Sequence, residues 1–128
     1  MKIKITLLVL LYAVITTSQT TPKWLRYPSI SPDGTSVAFT YKGDIYKVPV
    51  NGGEAKQLTF HKAHDRSVVW SKDGQKLAFA SNRYGNFDIF VMPSDGGEAT
   101  RLTFHSADET PYTFSAGDSL VYFGAVKQ

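Results

Sequence analysis

Two short segments of the chain are apolar on both faces of the strands that they predict. SVAFTY (36–41) and KLAFAS (76–81) carry large residues such as Val37 and Phe39 at alternate positions, with small residues such as Ala38 between them. A strand with one face in water would instead alternate apolar with charged residues. We therefore predict strands buried on both faces, with the bulky side chains of one sheet packed against the small ones of the next.

The same pattern recurs because the sequence repeats. GGEAKQLTFH (52–61) and GGEATRLTFH (96–105) are identical at eight of ten positions and lie 44 residues apart. SISPDGTSVAF (29–39) matches VWSKDGQKLAF (69–79) at a spacing of 40, and a third copy begins with YTFSAGDSLVYF (112–123). A period of about 40–45 residues is typical of a propeller blade, a sheet that stacks on copies of itself. The alternative is a β-sandwich with accidental repetition, which the number of identities makes the weaker interpretation.

Turn signals divide each copy into short strands. SPDG and SKDG end in glycine, which accepts the left-handed turn conformation, and Pro32 presets φ in the first of them. Pro49 and Pro93 have no N–H group to donate and end the third strands. The predicted fold class is all-β, an incomplete β-propeller of four-stranded antiparallel blades. About two and a half blades are expected: blade 1 at about 24–61, blade 2 at about 66–105 and a partial blade 3 at about 110–128.

The first residues have the pattern of an export signal. Lys2 and Lys4 precede the apolar run ITLLVLLYAVI (5–15), and small polar residues follow it. A transmembrane helix needs about 20 apolar residues, so we predict a signal peptide over residues 1–18, cleaved directly after Ser18. An uncleaved membrane anchor and a buried first strand are the alternatives.

Cleavage would leave a propeller segment over residues 19–128, exported to the periplasm and without membrane attachment. Loss of Lys2 and Lys4 changes the net charge from +3 to +1, with 12 basic and 11 acidic residues. No cluster of basic residues stands out, so we expect no nucleic-acid partner. The chain has no cysteine, which excludes disulfides, thiolate metal sites and lipidation on an N-terminal cysteine.

The repeat resembles that of TolB-type propellers. SPDGTSVAF, SKDGQKLAFASNRYGNFDIFVM and DGGEATRLT follow its pattern of SPDG, an AF strand, an Arg-x-Gly-x-x-Asp-Ile-Tyr-Val-Met stretch, DGG and LT. Phe90 replaces the tyrosine, YKGD in the first copy lacks the arginine, and SAGD in the third replaces SPDG. The residues that fall on the long stretch are Arg83, Gly85, Asp88, Ile89, Val91 and Met92.

The opening PKWLRYPSISPDGTSVAFTYKGDIYKVPVNGGEAKQLTFH (22–61), behind a signal peptide, resembles the start of exported tricorn-type serine peptidases. This resemblance implies a propeller that gates or positions peptide substrates. It also implies partners: a peptide or protein substrate, or further blades with PDZ and protease domains of a longer chain. The alternatives are a non-catalytic periplasmic TolB-type protein-binding propeller and a propeller that caps an α/β-hydrolase peptidase.

No catalytic motif occurs in the sequence. Gly-x-Ser-x-Gly, HExxH and a phosphate-binding glycine loop are all missing, so we expect no catalytic residue and no cofactor within these residues. HKAHD (61–65) and HSADE (105–109) hold the three histidines, His61, His64 and His105. These segments could form a cation site at the channel mouth. We favour another interpretation, in which both segments are connectors between blades, their side chains bond to backbone groups of the turns, and no metal binds.

Four residues are candidates for partner or channel contacts. Asp65 and Glu109 occupy equivalent positions before inner strands, where they could attract cationic peptide termini or, as we favour, cap turns. Arg83 and Tyr84 lie on what the sequence predicts to be one enlarged loop. Trp70 and Phe114 are predicted to be core residues rather than stacking platforms.

The outer faces of the first and last blades carry side chains suited to burial, such as Val37, Phe39 and Phe123. Unpaired strands are templates for association. We therefore expect self-association through unpaired blades.

Overall fold

The computed structural model describes residues 24–126, which form ten β-strands. The predicted signal peptide and the last two residues of the partial blade lie outside the described residues. Within residues 24–126, no helix is long and apolar enough to span a bilayer. The strands are β1 (Arg26–Ile30), β2 (Ser36–Tyr41), β3 (Asp44–Pro49), β4 (Lys56–Gln57), β5 (Asp65–Trp70), β6 (Lys76–Tyr84), β7 (Asn86–Pro93), β8 (Thr100–Arg101), β9 (Asp108–Phe114) and β10 (Val121–Val126).

The strands form three antiparallel sheets in chain order. Blade 1 has the order β1-β2-β3-β4, blade 2 has β5-β6-β7-β8, and β9 pairs with β10 in a two-stranded partial blade 3. Each strand pairs with its neighbour in sequence, as a meander does. The prediction of an incomplete all-β propeller with four-stranded blades is confirmed.

The blades stack as the apolar pattern predicts. Ala38 and Thr40 of blade 1 are buried, and Ala38 belongs to one core cluster with Leu77 and Phe79 of blade 2, both without exposed surface. The small face of one blade thus receives the bulky face of the next. Burying a leucine or phenylalanine side chain contributes about 1.5–3 kcal/mol, so this junction is a main source of stability.

Trp70 adds a directional bond to this apolar junction. It is buried, as predicted, and its Nε1–H donates to the carbonyl oxygen of Ser29 in blade 1 over 2.9 Å. Phe114 takes the same place in partial blade 3 and is also buried. Ile30, the equivalent residue of blade 1, is 63% exposed because no blade precedes it among the described residues.

The turn between the first two strands of each blade is built on a left-handed residue. Gly34 and Gly74 have φ of 72° and 73°. In the third copy the same position holds Asp118, with φ of 55°. Its carboxylate accepts hydrogen bonds from the backbone N–H groups of Lys72 (2.6 Å) and Asp73 (2.9 Å) in blade 2. The departure from SPDG to SAGD therefore places an acceptor against the neighbouring blade.

The four-residue insertion in the second copy is a strand extension, so the prediction of an enlarged loop was wrong. β6 continues to Tyr84 and β7 begins at Asn86, which leaves Gly85 alone at the tip with φ of 110°. Asn86 Nδ2 donates to the carbonyl oxygens of His105 (2.7 Å) and Ala107 (2.9 Å). Through these two bonds the longer hairpin of blade 2 holds the connector that leads to partial blade 3.

Candidate functional site

Asp65 lies at the junction of blades 1 and 2. It opens β5, its side chain has no exposed surface, and its N–H donates to the carbonyl oxygen of Gly43 over 2.7 Å. Its Oδ2 lies 3.2 Å from Arg83 Nη2. The carboxylate therefore faces the inside of the sheet stack, where it compensates a cation.

Glu109 has the equivalent place in β9 and is also buried. Thr103 of blade 2 donates to its Oε2 and in turn accepts from the N–H of Ile89 over 2.8 Å. In blade 1, Thr59 accepts from the N–H of Ile45 over 2.9 Å in the same way. The threonine of each LTFH segment thus holds the third strand of its own blade, and in blade 2 it also reaches the next inner strand.

Arg83 and Tyr84 are adjacent in sequence and lie in different environments. The Arg83 guanidinium packs 5.6 Å from the ring centre of Phe79 and 5.0 Å from that of Phe90, and its side chain is 15% exposed. Tyr84 is 65% exposed and lies parallel to Phe90 at 6.3 Å. Arg101 lies over the Tyr84 ring at 4.4 Å. Of the four predicted contact residues, Tyr84 is the most accessible.

Asp44 is a second carboxylate beside this pair. Burial raises its pKa above the ordinary value of 3.8, and the neighbouring charge of Asp65 raises it further. The hydroxyl of Thr59, the guanidinium of Arg83 and the imidazole of His64 lower its pKa to a smaller degree. Arg83 therefore pairs with Asp65 and only partly offsets the rise in the pKa of Asp44.

Two of the three connector histidines, His61 and His105, bond within their own turns. His61 Nδ1 accepts from the N–H of Ala63 over 3.0 Å, and His105 Nδ1 accepts from the N–H of Ala107 over 3.2 Å. These bonds are those that the connector interpretation predicts. Over residues 24–126 no group of three or more potential ligands is close enough to hold a metal ion.

Two arginines that the sequence reasoning did not single out lie at equivalent positions in the first strands of successive blades. Arg26 in β1 and Arg66 in β5 each precede a β-bulge, at which Tyr27 and Ser67 have φ of 52° and 58°. Both arginines line a cavity of about 500 Å³. Arg26 and Arg66 are 40 residues apart, which equals the offset between the first two copies of the repeat. A comparison of the two copies could therefore have identified them as a repeated basic position.

Comparison with known proteins agrees with this architecture. The family model described as the tricorn protease N-terminal β-propeller domain matches residues 22–128. The chain belongs to this family. Tricorn protease homolog 1 of Streptomyces coelicolor is 43% identical over 63 residues, which cover 44% of this chain and 6% of that protein.

Solved structures show the same propeller fold. TolB from Acinetobacter baumannii superposes with a TM-score of 0.65 and 28% identity, over 77% of this chain and 26% of that chain. The crystal structure of the tricorn protease superposes with a TM-score of 0.66 and 19% identity, over 76% of this chain and 10% of that one. This tricorn-family chain therefore spans only a small part of the proteins that it matches.

Proposed function

We propose that the chain is the N-terminal propeller portion of a tricorn-like serine peptidase, where it acts as a scaffold or substrate-gating module in peptide degradation. The family match over residues 22–128 carries this proposal. The roles of the buried polar groups support a scaffold. Arg83 donates to Asp65 within blade 2, and Thr103 of blade 2 donates to Glu109 of partial blade 3.

The gating role rests on the inner strands. In a propeller the blades surround a central channel, and their innermost strands line it. β1, β5 and β9 are the first strands of their blades, and Arg26 and Arg66 give the first two a basic character. Peptides reaching such a channel would be selected by charge. The partners on this proposal are peptide or protein substrates and further blades with PDZ and protease domains.

A non-catalytic protein-binding propeller of TolB type is the second candidate. The 28% identity to TolB from Acinetobacter baumannii over 77% of this chain favours it. Tyr84 and Phe104 are exposed aromatic side chains, 65% and 74% accessible, with Arg101 close to both rings. Exposed aromatic residues beside an arginine suit a protein interface.

We also propose export to the periplasm, on the pattern of Lys2, Lys4 and the apolar run 5–15. Expression with the leader in a Gram-negative host should yield a periplasmic product whose intact mass begins at Gln19. A membrane-bound product that retains Met1 would contradict this.

The isolated chain is expected to self-associate. Val37 and Phe39 line an open apolar groove on blade 1, and Phe123 is 42% exposed on β10. Apolar surface left in water costs roughly 25 cal/mol per Å². Light scattering after size exclusion should detect species larger than a monomer, whereas a well-behaved monomer would contradict self-association.

The two candidate functions predict native gene products that differ in size and in the proteins that co-purify with them. An affinity tag can be inserted directly after Gly53 in the exposed turn at Asn51–Gly53, so that both glycines, with φ of 88° and 126°, are kept. A tagged polypeptide much larger than 14.2 kDa that co-purifies with no stoichiometric envelope protein supports the peptidase proposal. A product made of blades alone that captures envelope proteins supports the TolB-type alternative.

A further inference from the structure

A cavity of about 500 Å³ opens between blades 1 and 2, where β1 and β5 begin and beside the β2–β3 turn. All its charged walls are basic. Arg26, Lys42 and Arg66 line it together with His64, and no Asp or Glu of residues 24–126 does so. We call this space the basic cavity.

The cations of the basic cavity are held in place by aromatic rings instead of carboxylates. The Arg66 guanidinium lies 3.6 Å from the ring centre of Phe87, and that of Arg26 lies 5.7 Å from the ring of Trp24. Neither arginine, nor Lys42, forms an ion pair with any residue in the described range 24–126. Positive charge that is fixed but not neutralised attracts an anion.

Three carboxylates border residues of the basic cavity without lining it. Asp65 pairs with Arg83, and Asp44 Oδ2 accepts from Gln57 Nε2 over 3.1 Å. Asp108 Oδ1 accepts from the N–H of Phe87 over 3.0 Å. Within residues 24–126 none of the three forms an ion pair with Arg26, Lys42 or Arg66.

Two buried polar atoms of the cavity walls have no hydrogen-bond partner. Thr40 is 3% exposed and its Oγ1 is unpaired, and Arg66 Nε is also buried and unpaired. A buried polar group without a partner costs about 1–3 kcal/mol. A ligand oxygen that accepts from either group would remove the penalty for that group.

The backbone around the basic cavity is strained. Trp24, Tyr27 and Lys42 line it with φ of 82°, 52° and 51°, in the left-handed region that side chains with a Cβ rarely adopt. Such conformations persist where the surroundings enforce them and cluster at ligand sites. Gly43, next to Lys42, has φ of 91°, and a Cβ there would lie 3.0 Å from His64 Nδ1.

We propose that the basic cavity binds a small organic anion. Its carboxylate or phosphate oxygens accept from Arg66 Nε and Thr40 Oγ1, with Arg26 and Lys42 supplying further positive charge. Its planar or apolar body lies against Trp24 and Phe87. The site shares Arg26 and Arg66 with the proposed gating role, but anion binding at the junction of blades 1 and 2 can be measured without any peptidase activity, so the two proposals can fail separately.

The test uses the full 128-residue chain and three probes of similar size: benzoate, phenyl phosphate and neutral benzyl alcohol. NMR follows the Nε–H group of Arg66 and the indole N–H of Trp24 during titration. We expect saturable shifts with at least one anion and binding of benzyl alcohol that is weaker by about tenfold or more. The anion that binds more tightly identifies the recognised group. No saturable shift, or equal binding of benzyl alcohol, overturns the proposal.

Variants separate the site from general charge attraction. Arg66→Gln should weaken anion binding by about tenfold. Lys42→Asn is the second variant, because asparagine tolerates the left-handed conformation and this change keeps the turn. Lys76→Gln is the control: it removes the same charge from an exposed residue at the far end of β6 and should leave affinity unchanged. An equal loss in Lys76→Gln, or full affinity in Lys42→Asn and Arg66→Gln, overturns the proposal.

Discussion

The guanidinium of Arg83 lies 3.2 Å from the carboxylate of Asp65, and the two side chains are 15% and 0% exposed. Arg83 belongs to the insertion that lengthens the blade 2 hairpin and that blade 1 lacks. Its positive charge also offsets a small part of the rise in the pKa of Asp44. One added arginine thus pairs with Asp65 and acts weakly on a second carboxylate at the junction of the blades.

Replacing Arg83 by alanine should destabilise the fold strongly. Asp65 would remain buried without its cation, which costs about 3–5 kcal/mol in the free energy of unfolding. Urea denaturation measures the loss. Lys76→Ala, an exposed change on the same strand, should alter the free energy by no more than about 0.5 kcal/mol. The double variant Arg83→Ala with Asp65→Asn should recover part of the loss, and a cost below about 1 kcal/mol for Arg83→Ala would show that the pair is not stabilising.

Asp44 should make stability fall with rising pH. Its folded pKa is raised, chiefly by burial, so the folded state holds more protons than the unfolded state above pH 3.8. The contribution of Asp44 to the free energy of unfolding therefore decreases as pH rises from that value through the folded pKa, and then levels off. Urea denaturation of the wild type and Asp44→Asn over this range measures the difference. We expect the wild type to lose stability relative to Asp44→Asn as pH rises; a gain would contradict the raised pKa.

The bond from Trp70 to Ser29 should contribute measurably to blade stacking. Trp70→Phe keeps an aromatic ring but removes the donor, and we expect a loss of about 1–3 kcal/mol from the lost bond and the smaller side chain. Trp24→Phe is the matched control, since Trp24 is 69% exposed. Equal effects of the two substitutions in urea denaturation would contradict the role of Trp70 at the junction.

Asp118 should stabilise through its two acceptor bonds rather than through its backbone conformation. Asp118→Gly keeps the turn and loses the bonds to Lys72 and Asp73, which should cost about 1 kcal/mol. Asp118→Ala adds the strain of alanine at positive φ, a further 1–2 kcal/mol or so. Gly117→Ala, at a position of ordinary φ with nothing within 4 Å, is the control. A glycine variant as stable as the wild type would contradict the capping role.

The blade architecture and its core could be predicted because the copies of the repeat can be compared. Trp70 and Phe114 fall on one blade position, and burial follows once the sheets stack. The alternation of Val37 and Ala38 predicts two buried faces for the same reason. These features depend on local periodicity, which a sequence displays directly.

The polar contacts could not be predicted in the same way. Asp65 and Arg83 are separated by 18 residues and pair only when the hairpin folds back on β5. Blade 1 has no counterpart of Arg83, so no comparison between copies reveals the pair. Arg26 and Arg66 do share a blade position, but only the stacking of blades 1 and 2 brings them to one cavity.

Peptide hydrolysis by the native gene product, purified through a tag in the Asn51–Gly53 turn, tests the proposed function most directly. Casein and short chromogenic peptides are the substrates, and the 128-residue chain alone is the control. We expect hydrolysis by the gene product that a serine-directed inhibitor abolishes, and none by the chain alone, because the proposal gives this propeller a scaffold or gating role and assigns catalysis to another domain. Inhibitor-sensitive hydrolysis by the chain alone, or a gene product without peptidase activity, would contradict a propeller that serves a serine peptidase.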